Sequence, residues 1–566
     1  METSGLGGYL CALAVGGAML IGGCVVRPVE KAGTGDTGFV CTVQPLFLDK
    51  DVDILFVVDD SGSMGEEQQK LRAQFPRLIE ALKTKKLGGK LPNVRIGVVS
   101  TDLGAGSLYV DNACVTDGDK GKLQNKAQSA GCTVPKDAWI EYKDVDGVIT
   151  TNIPGAGDSV TKVKDAFSCI GTLGIEGCGF EQTILSAQKA LDPALNINPG
   201  FLRNDDPCQA NREDALLAVV FITDEDDCSA ANPQLFDPSQ GGLNDPLGPL
   251  TSFRCFEFGV KCDCAGKAKC DRFTTGTRKN CVPGGQYLHK VENFISFFKN
   301  LKKLPDRDDT TGKCTGKANP DRVLMAAIAG PTGQVAVEML GGVPSLKPSC
   351  SSSGTLAAPA VRLKALVHAF AEELTVKEVA DIKAKKQNTP YYVDSSGKWR
   401  AENFTSICDS DFSPALERLG ARIIDRLGTL CLSPPALTDN GGILCNKGDV
   451  ICDAKTCGEV VKCEQGCLTR ANFTIQQYTG SGRTTVPKCS EQLFDPRLPA
   501  TSCGDQCPCW RVVPSAVCAS QSGASPYSVE IMNKGTVPKG TYASVCTMNT
   551  THAWGSKEFA ALKQCN

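Results

Sequence analysis

Val52-Asp53-Ile54-Leu55-Phe56-Val57-Val58-Asp59-Asp60-Ser61-Gly62-Ser63 is the stretch whose reading decides the fold. Its first seven residues form a nearly continuous apolar run, the pattern of a strand covered on both faces. The run stops at a carboxylate, and Asp59, Ser61 and Ser63 then set three oxygen-bearing side chains at alternate positions of a turn. Oxygen-only ligands of this kind suit a hard divalent cation such as magnesium, calcium or manganese better than zinc. Ser, Asp and Gly are also ordinary turn residues, so the turn alone does not make a metal site.

Three more apolar runs, Val94 to Ser100, Leu216 to Ile222 and Val323 to Ala329, read as further strands. Leu71, Phe75, Leu78, Ile79 and Leu82 recur at helical spacing, with Pro76 expected to kink that helix or shift its start. Val291, Phe294, Ile295, Phe298 and Leu301 mark a second helix, and Leu363, Leu366, Val367, Phe370 and Leu374 a third. Ser413 and Pro414 read as the N-cap and first turn of a last helix reaching about Leu430. Strands alternating with helices predict an α/β domain over residues 50–434, built on a doubly wound, mainly parallel sheet. Residues 103–178, 228–284 and 331–360 interrupt it as long disulfide-rich inserts. Beyond Pro434-Pro435, residues 436–566 hold short strand-like pieces such as Trp510 to Val513 and Tyr527 to Ile531, which predicts a small Cys-rich, β-rich C-terminal module.

A chain of 566 residues exceeds one ordinary core. Its net charge of -3 gives no general attraction to nucleic acid. Lys83, Lys85, Lys86 and Lys90 read as a solvated helix end. Thirty cysteines point to an oxidising compartment. The uncharged, Gly-rich stretch from Gly5 to Gly23 reads as an export signal ending at Cys24. Ile21-Gly22-Gly23-Cys24 resembles the lipobox of bacterial lipoproteins, which implies removal of residues 1–23, lipidation of Cys24 and a tether over 24–49. Without Cys11 and Cys24, 16 cysteines remain from Cys41 to Cys431 and 12 from Cys445 to Cys565, even numbers that allow pairing on either side of the Pro434-Pro435 boundary. Val25, after the lipidated position, implies by resemblance to enterobacterial sorting an outer-membrane destination.

Ligands of open α/β sheets bind beyond the carboxyl ends of the strands, where strand order reverses. The run Leu216 to Ile222 ends, like the first, in acid: Thr223-Asp224-Glu225-Asp226-Asp227. In this combination the chain resembles the von Willebrand factor type A domain, whose metal-ion-dependent adhesion site opens with DxSxS after the first strand. Asp59, Ser61 and Ser63 match that motif, and Asp224 matches the family's distal aspartate. Counting back from Ala190-Leu191 puts Glu181 where the family usually has a threonine, as in integrin β subunits, with Thr183 the alternative. The resemblance implies a site of Asp59, Ser61, Ser63, Glu181 and Asp224, more anionic than usual, tolerant of calcium or manganese and modest in its grip on a ligand. Glu66 and Glu67 read as first-turn helix charges, the alternative being a second calcium site as in the integrin β relatives, and Asp102 as a loop cap.

No GxSxG, HExxH or GxxxxGK[ST] pattern is present, and His289, His368 and His552 are the only histidines, the first two in segments read as ordinary amphipathic helices. Nothing here supplies a nucleophile and base, so no enzymatic activity is expected. Cys262, Cys264 and Cys270, and Cys503, Cys507 and Cys509, have spacings open to zinc, with disulfides the expectation. Function then reduces to two readings. One is a lipid-anchored envelope protein whose type A domain binds a carboxylate-bearing protein ligand through a divalent cation, in adhesion or assembly. The other is an envelope protein in which metal and disulfides only stabilise the fold.

Overall fold

The computed structural model describes most of residues 51–427, the segment 39–45 and, farther on, mainly strand segments within 450–548. The expected signal peptide and Cys24 lie outside the described residues, as do Lys85, Lys86 and Lys90.

Seven strands form the central sheet: β1 (Asp51–Val58), β2 (Asn93–Ser100), β3 (Ile140–Val145), β4 (Val148–Thr151), β5 (Leu216–Ile222), β6 (Val323–Ala329) and β7 (Phe404–Ser406). Their order is β7-β6-β5-β1-β2-β3-β4. β7, β6, β5, β1 and β2 run parallel, whereas β3 and β4 add an antiparallel edge. β1 lies between β5 and β2 with Val58 opposite Ile222 and Ser100, so the chain leaves β1 toward one side and later returns on the other. Strand order therefore reverses beside Asp59.

The helices packed on this sheet are α1 (Gly65–Leu82), α2 (Ser159–Ile170), α3 (Thr183–Leu191), α4 (Val291–Leu301), α5 (Val361–His368) and α6 (Ser413–Arg426). Alternate strand residues face two separate cores. Ile54, Phe56 and Val58 pack with α1, α2 and α6, while Leu55 and Val57 pack with α3, α4 and α5. Phe56, Phe75 and Phe167 form the centre of the first core, with the rings of Phe75 and Phe167 stacked at 3.5 Å. Each such ring, fully buried, stabilises the fold by roughly 1.5–3 kcal/mol through area alone. Asp53, within β1, is wholly buried and held by Arg203, whose Nε donates to Oδ1 and whose amide donates to Oδ2, both at 2.8 Å.

Several expectations need correction. Pro76 does not delay α1, which starts at Gly65 and continues through it; the exposed Arg72, whose carbonyl loses its helical donor there, can be hydrated instead. Ser413 is the first residue of α6 rather than its cap, and its amide donates to Asp411 Oδ1. The third helix stops at His368, and Phe370 and Leu374 are buried beyond its end. His289 precedes α4 instead of riding on it. The segment 103–178 is not wholly an insert, since it supplies β3, β4 and α2, and Cys132–Cys169 ties its loop to α2.

Cys262–Cys281, Cys264–Cys270, Cys489–Cys509 and Cys503–Cys507 are disulfides, as expected for both clusters. Strands Cys509–Pro514 and Tyr527–Met532 pair antiparallel. Phe39–Pro45, within the span read as a tether, is a strand paired antiparallel with Tyr542–Met548, Cys41 opposite Cys546. Among the described residues no helix is long and apolar enough to cross a membrane.

Candidate metal centre

The carboxyl ends of β1 and β5 bring the two acidic turns together. Asp59 N donates to Ile222 O at 2.9 Å, which extends the β1–β5 ladder by one rung and fixes Asp59 beside Thr223. Asp59 is fully buried. Its Oδ1 accepts from Ser61 N at 2.8 Å and its Oδ2 from Thr223 Oγ1 at 2.7 Å. Ser61 Oγ and Ser63 Oγ lie 3.4 Å apart, and Ser63 faces the Asp224 carboxylate closely enough to favour its ionised form. The first turn thus meets the second across the strand pair, with Asp59 the strongest repulsive neighbour of Asp224.

The second wall is the segment before α3. Glu181 is buried, and Cys228 N donates to its carbonyl at 2.7 Å, tying it to the acidic turn after β5. The carboxyl groups of Glu181 and Glu225 are close neighbours in the buried acidic group. Thr183 is the first residue of α3, with a buried Oγ1 that has no hydrogen-bond partner. Glu67, in the first turn of α1, is also buried; Thr355 Oγ1 donates to its Oε1, and its Oε2 has no partner. Glu66, one residue earlier, is exposed. Asp102 Oδ1 accepts from Gly104 N at 2.7 Å and caps its loop.

The electrostatics are those of acids crowded out of water. Burial raises Glu181 well above the usual carboxylate range, and the charges of Glu225, Asp59 and Asp224 raise it further. Burial likewise pushes Asp224 up to about 8, with Asp59 the strongest repulsive neighbour and Ser63 acting the other way. Glu225 rises to about 7 for the same first reason. Asp59 is raised by burial despite its hydrogen bonds from Ser61 and Thr223. Asp60 is pushed to about 8 by burial and by Asp59, Asp102 and Asp119.

Asp59 and Asp224, taken with the Ser61 and Ser63 hydroxyls, are a donor set chemically suited to a hard divalent cation. Asp224 Oδ1 is buried with no hydrogen-bond partner, which is costly unless a positive charge or a proton meets it. The dominant charged neighbours of Asp224 and Glu181 are themselves carboxylates, so no side chain among them supplies the missing charge. Among the described residues no three His, Cys, Asp or Glu side chains stand close enough to hold a metal by themselves. The candidate set differs from such a cluster in including the hydroxyls of Ser61 and Ser63.

Four supporting residues escaped the sequence reading. Thr223 orients Asp59, and Gln68 Nε2 donates to both Asp59 O and Gly174 O at 2.8 Å. Glu225 lay in plain sight within the acidic run, yet nothing local distinguished it from its neighbours. Asp227 is the fourth: its Oδ1 accepts from Ile184 N at 2.9 Å, at the start of α3.

No protein-family model matches the chain, and no curated protein does. Among solved structures it is similar to the pilus adhesin SpaC from Lactobacillus rhamnosus GG, at 12% identity over 92% of this chain and 42% of the adhesin, with a TM-score of 0.24. It is also similar to the pilus adhesin RrgA from Streptococcus pneumoniae, at 10% identity over 92% of this chain and 60% of the adhesin, with a TM-score of 0.19. The chain thus spans less than two thirds of either adhesin's own length. A likeness this slight decides neither fold nor function.

Proposed function

We propose that this chain is an exported, cell-envelope lipoprotein of the von Willebrand factor type A kind, held at the outer membrane through Cys24. In this reading its doubly wound domain binds a carboxylate-bearing protein ligand through a divalent cation, in adhesion or assembly and without enzymatic turnover. The observation that carries the reading is the meeting of Asp59, Ser61 and Ser63 with Asp224 at the ends of two adjacent parallel strands, Asp224 keeping a buried unpartnered oxygen. Asp59, Ser61, Ser63 and Asp224 would hold a magnesium, calcium or manganese ion, with Glu181 or Thr183 as the middle ligand. The bound ion would offer a Lewis-acidic position to an incoming carboxylate. The protein's own part is to orient Asp59 through Thr223 and Ser61 and to keep bulk water from the buried acids.

Affinity capture from envelope extracts separates this reading from that of a purely stabilising metal. Wild type in magnesium should retain a partner that Asp59→Ala, or wild type in chelator, does not. Recovery of the same partners in every arm would reject cation-dependent binding and leave the stabilising role.

A further inference from the structure

Arg362 is a large cation shut off from the protein surface: its side chain is fully buried, and so is that of Asp227. The guanidinium is shared between two parts of the chain. Nε and Nη2 donate to Asp227 Oδ2 at 3.1 and 3.0 Å, closing a two-pronged pair at the end of the acidic turn. The rest of the fork reaches the disulfide-bearing insert and its exit, with Nη2 donating to His289 O at 2.7 Å and Nη1 to Gly284 O at 2.9 Å. Cys228–Cys255 and Cys262–Cys281 staple that same insert.

The other partners of this pair lead back to the candidate centre. Asp227 Oδ1 accepts from Ile184 N, three residues after Glu181 and one after Thr183, and from Ser229 Oγ. Ser229 Oγ in turn accepts from Leu185 N at 2.9 Å. The amides of Arg362 and Leu363, in the first turn of α5, donate to Asp226 at 3.0 and 3.1 Å. The wall that carries the middle ligand, the turn that carries Asp224, the start of α5 and the insert are therefore joined through one ion pair. An uncompensated charge at this depth is costly, so the pair holds only while all four segments keep their places.

We infer that Asp227 and Arg362 are positioning residues of the proposed cation site, and that they couple its occupancy to the order of the insert between Cys228 and His289. The inference rests on the cation reading above. Outer-shell partners of this kind orient ligands without touching the ion, and their loss typically lowers metal affinity about 10- to 100-fold. Coupling is reciprocal: an ion that fixes Glu181 and Asp224 also fixes the insert backbone that Arg362 grips.

The test is hydrogen exchange with calcium titration on the full chain, comparing wild type with Arg362→Lys, which keeps the charge but loses the fork. In wild type, calcium should slow exchange both at residues 181–186 and across 259–289. In Arg362→Lys, calcium affinity should fall at least about 10-fold, and protection should persist at 181–186 but vanish from 259–289. Ser229→Ala, a milder cut at the same junction, covers the case in which the lysine variant does not fold, and should lower calcium affinity in the same direction. Unchanged affinity in the folded variants, or wild-type protection that never extends to 259–289, overturns the coupling while sparing the cation site. Wild type that binds no calcium, magnesium or manganese overturns both.

Discussion

Thr223 Oγ1 donates to Asp59 Oδ2 across 2.7 Å, joining the ends of two adjacent parallel strands at the point where strand order reverses. That bond sets the Asp59 carboxylate between Thr223 on one side and the Ser61 amide on the other. Thr223→Val keeps the shape and removes the donor. We expect the fold to survive at a cost of about 1–3 kcal/mol, with divalent-cation affinity reduced more than stability. Calorimetric cation titration beside urea unfolding checks this.

The raised acids give a signed pH dependence. Asp224 moves from 3.8 to about 8 and Glu225 from 4.5 to about 7 in the folded chain. A carboxyl with a raised folded pKa binds more protons folded than unfolded. Its contribution in chelator is therefore complete below the ordinary carboxylate pKa and is lost as pH rises through about 7 to 8. A divalent cation should cancel that loss, because it binds the ionised form. Urea midpoints in chelator at acidic and mildly alkaline pH, wild type against Asp224→Asn, isolate the term: wild type should lose stability toward alkaline pH, and the variant less so.

Metal choice follows from the middle ligand. With Glu181 in the proposed set, three carboxylates (Asp59, Glu181 and Asp224) would oppose a charge of two, which would favour tolerance of calcium or manganese and a weak pull on an incoming carboxylate. Glu181→Thr should shift selectivity toward magnesium and tighten ligand binding, whereas Thr183→Val should leave cation affinity within about 2-fold, a few tenths of a kcal/mol. Strict magnesium selectivity in wild type would count against Glu181, and loss of binding in Thr183→Val would point to the threonine instead.

Gly330 packs where a side chain cannot. A Cβ there would lie 1.8 Å from Ala358 O, and Ala358 N donates to Asp224 O at 2.8 Å. Gly330→Ala must displace the 358 segment and should weaken cation binding along with stability. An alanine variant with wild-type cation affinity would show that this segment does not set Asp224.

Phe75→Ala opens a void at the stack with Phe167 and should cost about 3–5 kcal/mol. The loss should appear equally with and without cation, which distinguishes core damage from damage to the site.

How much of this was legible depended on whether the signal was local. β1, β2, β5 and β6 are buried on both faces and so read as continuous apolar runs. β7 is three residues long, and β3 alternates apolar and charged residues at an antiparallel edge, so neither stands out from a loop. α2 carried a usable signal: Asp158 caps it by accepting from Thr161 N, and Val163, Ala166, Phe167 and Ile170 follow at helical spacing, masked by their place within a Cys-rich stretch. At the candidate centre, Asp59, Ser61, Ser63 and Asp224 could be found because each follows a strand. The Asp227–Arg362 pair spans 135 residues of sequence, and no local pattern announces a contact of that range.

Cation titration of the folded chain, with Asp59→Ala and Asp224→Ala alongside wild type, tests the central claim most directly. Wild type should bind one of magnesium, calcium or manganese with accompanying proton release, and each alanine variant should lose that binding while keeping its folded spectrum. Equal binding by all three proteins, or no binding by wild type, would contradict a cation held between Asp59 and Asp224.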